Sequence, residues 1–233
     1  MAYPVIAATA ASATPDDATS HVCTLPSGIA SGDLLLAVVV VDGDAAMTWP
    51  AGWTALTNGA GASGTAVRSE ARYRLATGSE GASITITGGS ETWVSRVWRI
   101  TGHTGAAPVC ATAAGTSADA RPPSLGSQAY AMDTLWIIHV AWDNRPAFTF
   151  WPTPYSKSNR QAAHVNDSGG ASGWVQQASA GGTAMRGITP GPCTSVSAAW
   201  RALTIAVQPL VSRDAEEAAA KIAERVNGYG VGA

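Results

Sequence analysis

The sequence is poor in charge: 13% of its 233 residues are Asp, Glu, Lys or Arg, and the formal net charge is −2. Its 14 basic residues are scattered. They form no patch able to neutralise phosphates or anionic lipid, so neither nucleic acid nor a membrane surface is an expected partner. Cysteine is scarce too. Cys23, Cys110 and Cys193 are too few and too far apart for a disulfide framework or a zinc knuckle, and they read as small buried hydrophobes. No stretch reaches the ~18 apolar residues of a membrane span. The opening MAYPVIAATAASATPDD has no Lys or Arg and no apolar run long enough for an export signal. The expectation is a chain made in the cytoplasm without an export address.

Catalytic signatures are missing as well. There is no GxSxG elbow, HExxH pair, phosphate-binding Walker loop or EF-hand spacing. GAGASG (Gly59–Gly64) fits GxGxxG literally, but an alternating strand pattern follows it where a dinucleotide site needs a helix, so it reads as a strand-to-strand loop. His21, His103, His139 and His164 lie in four separate segments without ligand spacing, and His139 reads as a core histidine inside an apolar strand. Asp33, Asp42, Asp44 and Asp143 could offer oxygens to calcium at strand ends, although Asp42-Gly43-Asp44 reads more simply as a turn. Asp143 and Asp167 make only a weak carboxylate pair for glycoside hydrolysis. The reading is a non-enzyme with no catalytic residues, cofactor or metal.

What the chain has is 25 Gly, 13 Pro and 9 Trp within a 46% hydrophobic composition. That profile suits a globular protein of many short strands and tight turns. Asp33–Asp42 (DLLLAVVVVD) is a continuous aliphatic run between Gly32 and Gly43, as expected of a strand buried on both faces. Val67–Leu75 alternates instead: Val67, Ser69, Ala71, Tyr73 and Leu75 share a core face, with Arg68, Glu70, Arg72 and Arg74 on a wet one. Further strands are predicted at Tyr3–Ala8, Ser20–Thr24, Ser83–Thr87, Thr92–Thr101, Asp133–Trp142, Ser158–Val165, Gly173–Gln177 and Ser195–Val207. Residues 103–132, rich in Ala, Thr, Gly and Ser, read either as a loop or as the crossing between two half-sandwiches.

The Asp33–Asp42 run with Trp49-Pro50 after it recurs as Asp133–Asp143 with Trp151-Pro152 after it, and each half ends in a Trp-Arg strand, VWRITG (Val97–Gly102) and AAWRALTIAV (Ala198–Val207). The expected fold is all-β, a jelly-roll-like antiparallel β-sandwich over 1–210, with pseudo-repeated halves near 1–102 and 125–210. A short C-terminal α-helix is expected within 211–233. Asp214 and Glu217 form a capping box there, and Ala215, Ala218, Ala219, Ile222 and Val226 make a narrow docking stripe.

The tryptophans divide in two groups. Trp93, Trp98, Trp136 and Trp200 lie within predicted strands and read as core. Trp53, Trp142, Trp151 and Trp174 sit near turns and are the candidates for glycan or partner contacts, because an indole face stacks on the apolar CH face of a sugar. TWPAGWTAL (Thr48–Leu56) is therefore either a sugar platform or a hydrophobic corner.

The segment DLLLAVVVVDGDAAMTWPAGWTAL, the YRLATGSE segment and the SRVWRITG strand resemble a β-sandwich domain of tailed-phage virion proteins. The resemblance runs from about Ser31 to Gly102, with a fainter echo from Asp133 to Val207. It implies a turn whose second Trp packs inward, and a place on capsid surfaces as decoration, cement or head-fibre protein, or on tails and fibres that touch host glycans. The expected function is a capsid decoration or cement protein on the head, with a tail- or fibre-associated carbohydrate-binding adhesion protein as the alternative. Expected partners are the major capsid protein or other virion subunits, further copies of the chain on the particle, and in the alternative a host glycan. Residues 1–18 and 209–233 are the expected docking tails.

Overall fold

Leu34–Asp42 forms strand β2, in which every residue but the last is buried. Successive side chains on a strand point to opposite faces, so such a strand needs cover on both sides, and this requirement organises the molecule. The computed structural model describes residues 4–117, 119–125, 134–143, 157–162, 168–176, 193–194 and 199–210. Within them the chain is all-β, a jelly-roll-like sandwich of two five-stranded antiparallel sheets. The first takes β1 (Val5–Thr24), β2, β3 (Thr54–Ser63), β4 (Val67–Leu75) and β5 (Ser83–Thr101) in the order β1-β5-β2-β4-β3. The second takes β6 (Val109–Gly115), β8 (Leu135–Asp143), β9 (Lys157–Ala162), β10 (Ser168–Gln176) and β12 (Trp200–Val207) in the order β6-β12-β8-β10-β9. Two short strands, β7 (Asp119–Ala120) and β11 (Cys193–Thr194), pair with each other.

Leaving that short pair aside, both halves follow one order: first strand, fifth, second, fourth, third. Registers agree too. Leu34 pairs with Ile100 and Val41 with Trp93 in the first sheet; Leu135 pairs with Val207 and Trp142 with Trp200 in the second. The runs 33–42 and 133–143 therefore occupy equivalent strands. The Trp-Arg dipeptides do not, because Trp200 corresponds to Trp93 rather than to Trp98. Trp98 packs between the sheets while Trp200 packs with Trp142 on the opposite face. Across the sandwich β3 lies on β6, β2 on β8 and β10, β5 on β10, and β4 on β8 and β12. A pseudo-two-fold axis passing between β2 and β8 exchanges the β2–β10 contact with β4–β8 and the β5–β10 contact with β4–β12, whereas β3 on β6 has no such counterpart among the described residues.

Several expected boundaries change. β1 and β5 are each continuous where two short strands apiece were expected, and residues 5–18 belong to β1 instead of forming a docking tail. Ser20–Thr24 pairs with Ser83–Thr87, and register shifts between Thr14, Ala18 and Ser20 bend this ribbon back over its own sheet. Thr24 N donates to Ser12 Oγ at 2.8 Å, which fixes the fold-back. The 103–132 region contributes β6, an edge strand. Gly59–Ser63, expected as loop, is inside β3, whose register shift between Ala55 and Ala60 absorbs Asn58 at φ 63°. The helix expected in 211–233 lies outside the described residues.

Two cores result. Between the sheets, Leu34, Leu36 and Val38 meet Trp98, Ile100, Leu135, Ile137, Leu203 and Ile205. On the outer face of the first sheet, Leu35, Ala37, Val39 and Val41 meet Trp49, Trp53, Ile86, Trp93 and Val97 under the folded ribbon and the 43–53 connection. Each such side chain withdrawn from water contributes on the order of 1.5–3 kcal/mol.

Candidate functional site

The WPAGW corner is closed. Trp49 is 9% and Trp53 6% exposed, with ring centroids 5.8 Å apart and tilted by 44°. Gly52 makes the turn at φ 87°, where a side chain would also meet the Arg74 guanidinium at 3.2 Å. Beneath the corner sits Glu70, 3% exposed. Its Oε2 accepts from Trp49 Nε1 at 3.0 Å and from Arg72 Nη2 at 3.3 Å. Its Oε1 accepts a forked pair from Arg68 at 2.9 and 3.1 Å. The Arg72 guanidinium also stands 5.3 Å from the Trp49 ring centroid, a cation–π contact. The charged face of β4, expected to be wet, is thus partly roofed, because one carboxylate fixes three donors and the indole closes over it.

The glycan candidates change accordingly. Trp53 is removed as a stacking platform, since its ring packs in the outer core. Trp142 is removed too: it is 1% exposed among Val140, Ala171, Trp200 and Ala202, and Gly169 lies so close to its indole that a side chain there would collide with Nε1. Trp174 is half-buried, packed against the inter-sheet core. Trp151 lies outside the described residues, as do Ala215, Ala219, Ile222 and Val226. The described candidates, Trp53, Trp142 and Trp174, are therefore not gathered into one surface. Trp93, Trp98, Trp136 and Trp200 are all buried, as core tryptophans should be.

Sequence spacing gave no sign of the polar networks that the fold assembles. Under the ribbon, His21 Nε2 lies 2.9 Å from Ser95 Oγ, and His21 Nδ1 lies 2.5 Å from Thr14 Oγ1. The imidazole stacks on Trp93 at 6.0 Å with a 9° interplanar angle. Burial lowers the His21 pKa to about 4, so the ring is neutral near pH 7. Burial also raises the neighbouring Cys23 thiol to about 11, with the Ser95 hydrogen bond acting the other way. A Ser–His pair with a nearby thiol has the composition of a nucleophilic centre. Here His21 is 0% and Ser95 3% exposed, so the group serves packing. Ser95 and His21 are far apart in sequence, and the strand register sets Ser95 opposite Ser12 and His21 opposite Ile86, so only the folding of the ribbon back over its own sheet brings them together.

The second network lies between the sheets. His139 Nδ1 lies 2.8 Å from Ser172 Oγ, and its Nε2 has no hydrogen-bond partner among the described residues. Burial, with the nearby Arg96 charge as the smaller cause, lowers its pKa to about 3. His139 and Arg96 border a cavity of about 10 Å³ with Val38, Val94, Gly170 and Ser172. Arg201, also buried, lies against Gly61, where a side chain would displace its guanidinium.

The residues that carry the family resemblance prove to be structural. Asp33 accepts from Ala30 N at 2.9 Å and stands 3.6 Å from Arg99 Nη1; Arg99 also donates to the Gly28 carbonyl. Glu80 accepts from Thr77 Oγ1 at 2.8 Å and Gly78 N at 3.0 Å, closing the ATGSE turn, and Arg74 lies 3.4 Å from it. Burial raises the Glu80 carboxyl, and hydrogen bonds from Thr77 and Gly78 outweigh it, leaving the pKa below the usual value. With Asp33 so engaged, the strand-end aspartates form no calcium cluster, and no group of His, Cys, Asp or Glu among the described residues could hold a metal.

Two open grooves remain. One, about 460 Å³, runs between the β3 bulge and β6 along Thr57, Asn58, Pro108, Cys110, Ser124 and Leu125; burial pushes the Cys110 thiol up to about 12. The other, about 470 Å³, follows Leu25–Ile29 and Gly78–Ala82, and its acid is Glu80, already bonded within its turn. Neither brings together a base and a nucleophile. Searches of family models, curated proteins and solved structures found no match to the chain.

Proposed function

We propose that the chain is a non-enzymatic virion structural protein, a capsid decoration or cement subunit that binds the outer surface of a phage head and stabilises it. One observation carries this reading: the two histidine–serine networks and the Glu70 network that the fold assembles are sealed inside the body. His21, Ser95, Glu70, Arg96 and His139 are all buried. What the body offers to the outside is surface and strand edge, the means of a binding subunit. The resemblance over Ser31–Gly102 points the same way, and the residues that carry it, Asp33, Trp49, Trp53 and Glu80, build a rigid half-sandwich.

A cement subunit acts by mass action: it binds the assembled lattice and not its dissociated parts, so occupancy adds to lattice stability. A body with roofed cores on both faces of its central strand suits that role, since little ordering cost falls on docking. The test is co-sedimentation of purified protein with capsids lacking it. Saturable binding at a fixed ratio to the major capsid protein is expected; absence of binding by folded protein would overturn the proposal.

A further inference from the structure

We propose that the edge of β1 around Ala8–Thr14 is a self-association surface, on which a second copy of this chain pairs antiparallel, β1 to β1, to form one sheet continuous across two molecules. β1 is the outermost strand of the first sheet, so its far edge carries backbone groups that pair with no other described strand. A bare edge is a template for another strand, and soluble proteins normally blunt one with charge, proline or a bulge.

Those devices are present in this sheet but placed elsewhere. The opposite edge, β3, has its bulge between Ala55 and Ala60. On β1 itself, one register shift comes before Ala8, between Ile6 and Ala8, and Pro15, Asp16, Asp17 and the other two shifts all follow Thr14. From Ala8 to Thr14 the strand keeps an unbroken register with β5. VIAATAASAT, residues 5–14, has no charged residue and no proline. Ala7, Ala11 and Ala13 are exposed, and Val5 is 41% exposed.

The occupant follows from what the edge lacks. In strand addition, main-chain hydrogen bonds supply affinity while pockets and charges select the partner. β1 has small neutral side chains on both faces and offers no pocket or charge that would select a foreign peptide. A second β1 matches it. About a two-fold axis normal to the sheet, opposed residues share a face, so a pairing centred on Ala11 sets Ala11 against Ala11, Thr9 against Ala13 and Ala8 against Thr14, and no like charges oppose and no bulky side chains collide. Asp16 and Asp17 fall beyond the paired segment. This inference does not rest on the virion reading, and binding to capsids tests the two separately.

Sedimentation of the full chain across a concentration series is the test. The expected result is a reversible dimer of the 23.6 kDa chain, weakened roughly tenfold or more by the double substitution Ala11→Lys, Ala13→Lys, which sets like charges on both strands. Ala11→Thr should leave it intact. Hydrogen exchange on the unmodified chain provides a second readout: amides within 8–14 should gain protection as concentration rises. A chain monomeric throughout, a dimer indifferent to the lysines while circular dichroism is unchanged, or protection appearing elsewhere would overturn the proposal.

Discussion

Glu70 shows how much one side chain holds in place. It is the common acceptor for Trp49, Arg68 and Arg72, and a buried acceptor removed from several donors leaves each with its desolvation cost. Glu70→Ala is expected to destabilise the fold by about 3 kcal/mol, read as a lowered urea midpoint with an unchanged slope. Trp49→Phe, which removes a single donor, should cost about 1 kcal/mol. The histidines give a pH prediction. Folded-state pKa values near 4 for His21 and 3 for His139 lie below the ordinary 6.5. Above pH 6.5 both states leave these rings neutral and stability is full; as pH falls below 6.5 the unfolded chain takes up protons that the folded one refuses. Stability should therefore drop by up to about 1.4 kcal/mol per pH unit per histidine between pH 6 and 4. Urea titrations at successive pH values check it, and His139→Gln should remove about half of the slope.

At the scale of the element, β2 carries a clear expectation. Because both of its faces are covered, Leu35→Ala and Leu36→Ala should each cost roughly 2–5 kcal/mol; a one-sided sheet would tolerate one of them. This much was legible in the sequence, since an unbroken aliphatic run specifies burial on both faces; the alternation of Val67–Leu75 placed Val67, Ser69 and Ala71 in the core correctly, whereas Leu75 is exposed and Glu70, on the face read as wet, is buried. What covers those faces was not legible. The roof over Glu70 comes from a corner whose Trp49 lies 21 positions earlier, and alternation records only which way a side chain points. β1 was read as two pieces because Pro15, Asp16 and Asp17 resemble a loop, whereas they mark the bend of a continuous ribbon. The tryptophans near turns looked exposed for the same reason: Trp53 and Trp142 are near strand ends, but facing strands and the folded corner cover them. The His21–Ser95 pair depends on the ribbon folding back over its own sheet, which leaves no local pattern.

On the scale of the whole molecule, two half-chains with one strand order pack about a pseudo-two-fold axis, and the apolar runs 33–42 and 133–143 form its centre. Such a body has matched sheets joined by a single large core, and unfolding should be one cooperative transition, with tryptophan fluorescence and far-ultraviolet circular dichroism coinciding. Separate transitions would show that the halves stand alone. The pseudo-symmetry also leaves edge strands at both sides of the sandwich. The central claim is that this surface binds and stabilises a capsid. The most direct measurement is the temperature at which capsids lacking the subunit lose their genome, followed as purified protein is added. The account predicts a rise that saturates at a fixed ratio of subunit to capsid protein. An unchanged release temperature, with the protein folded and in excess, would contradict it.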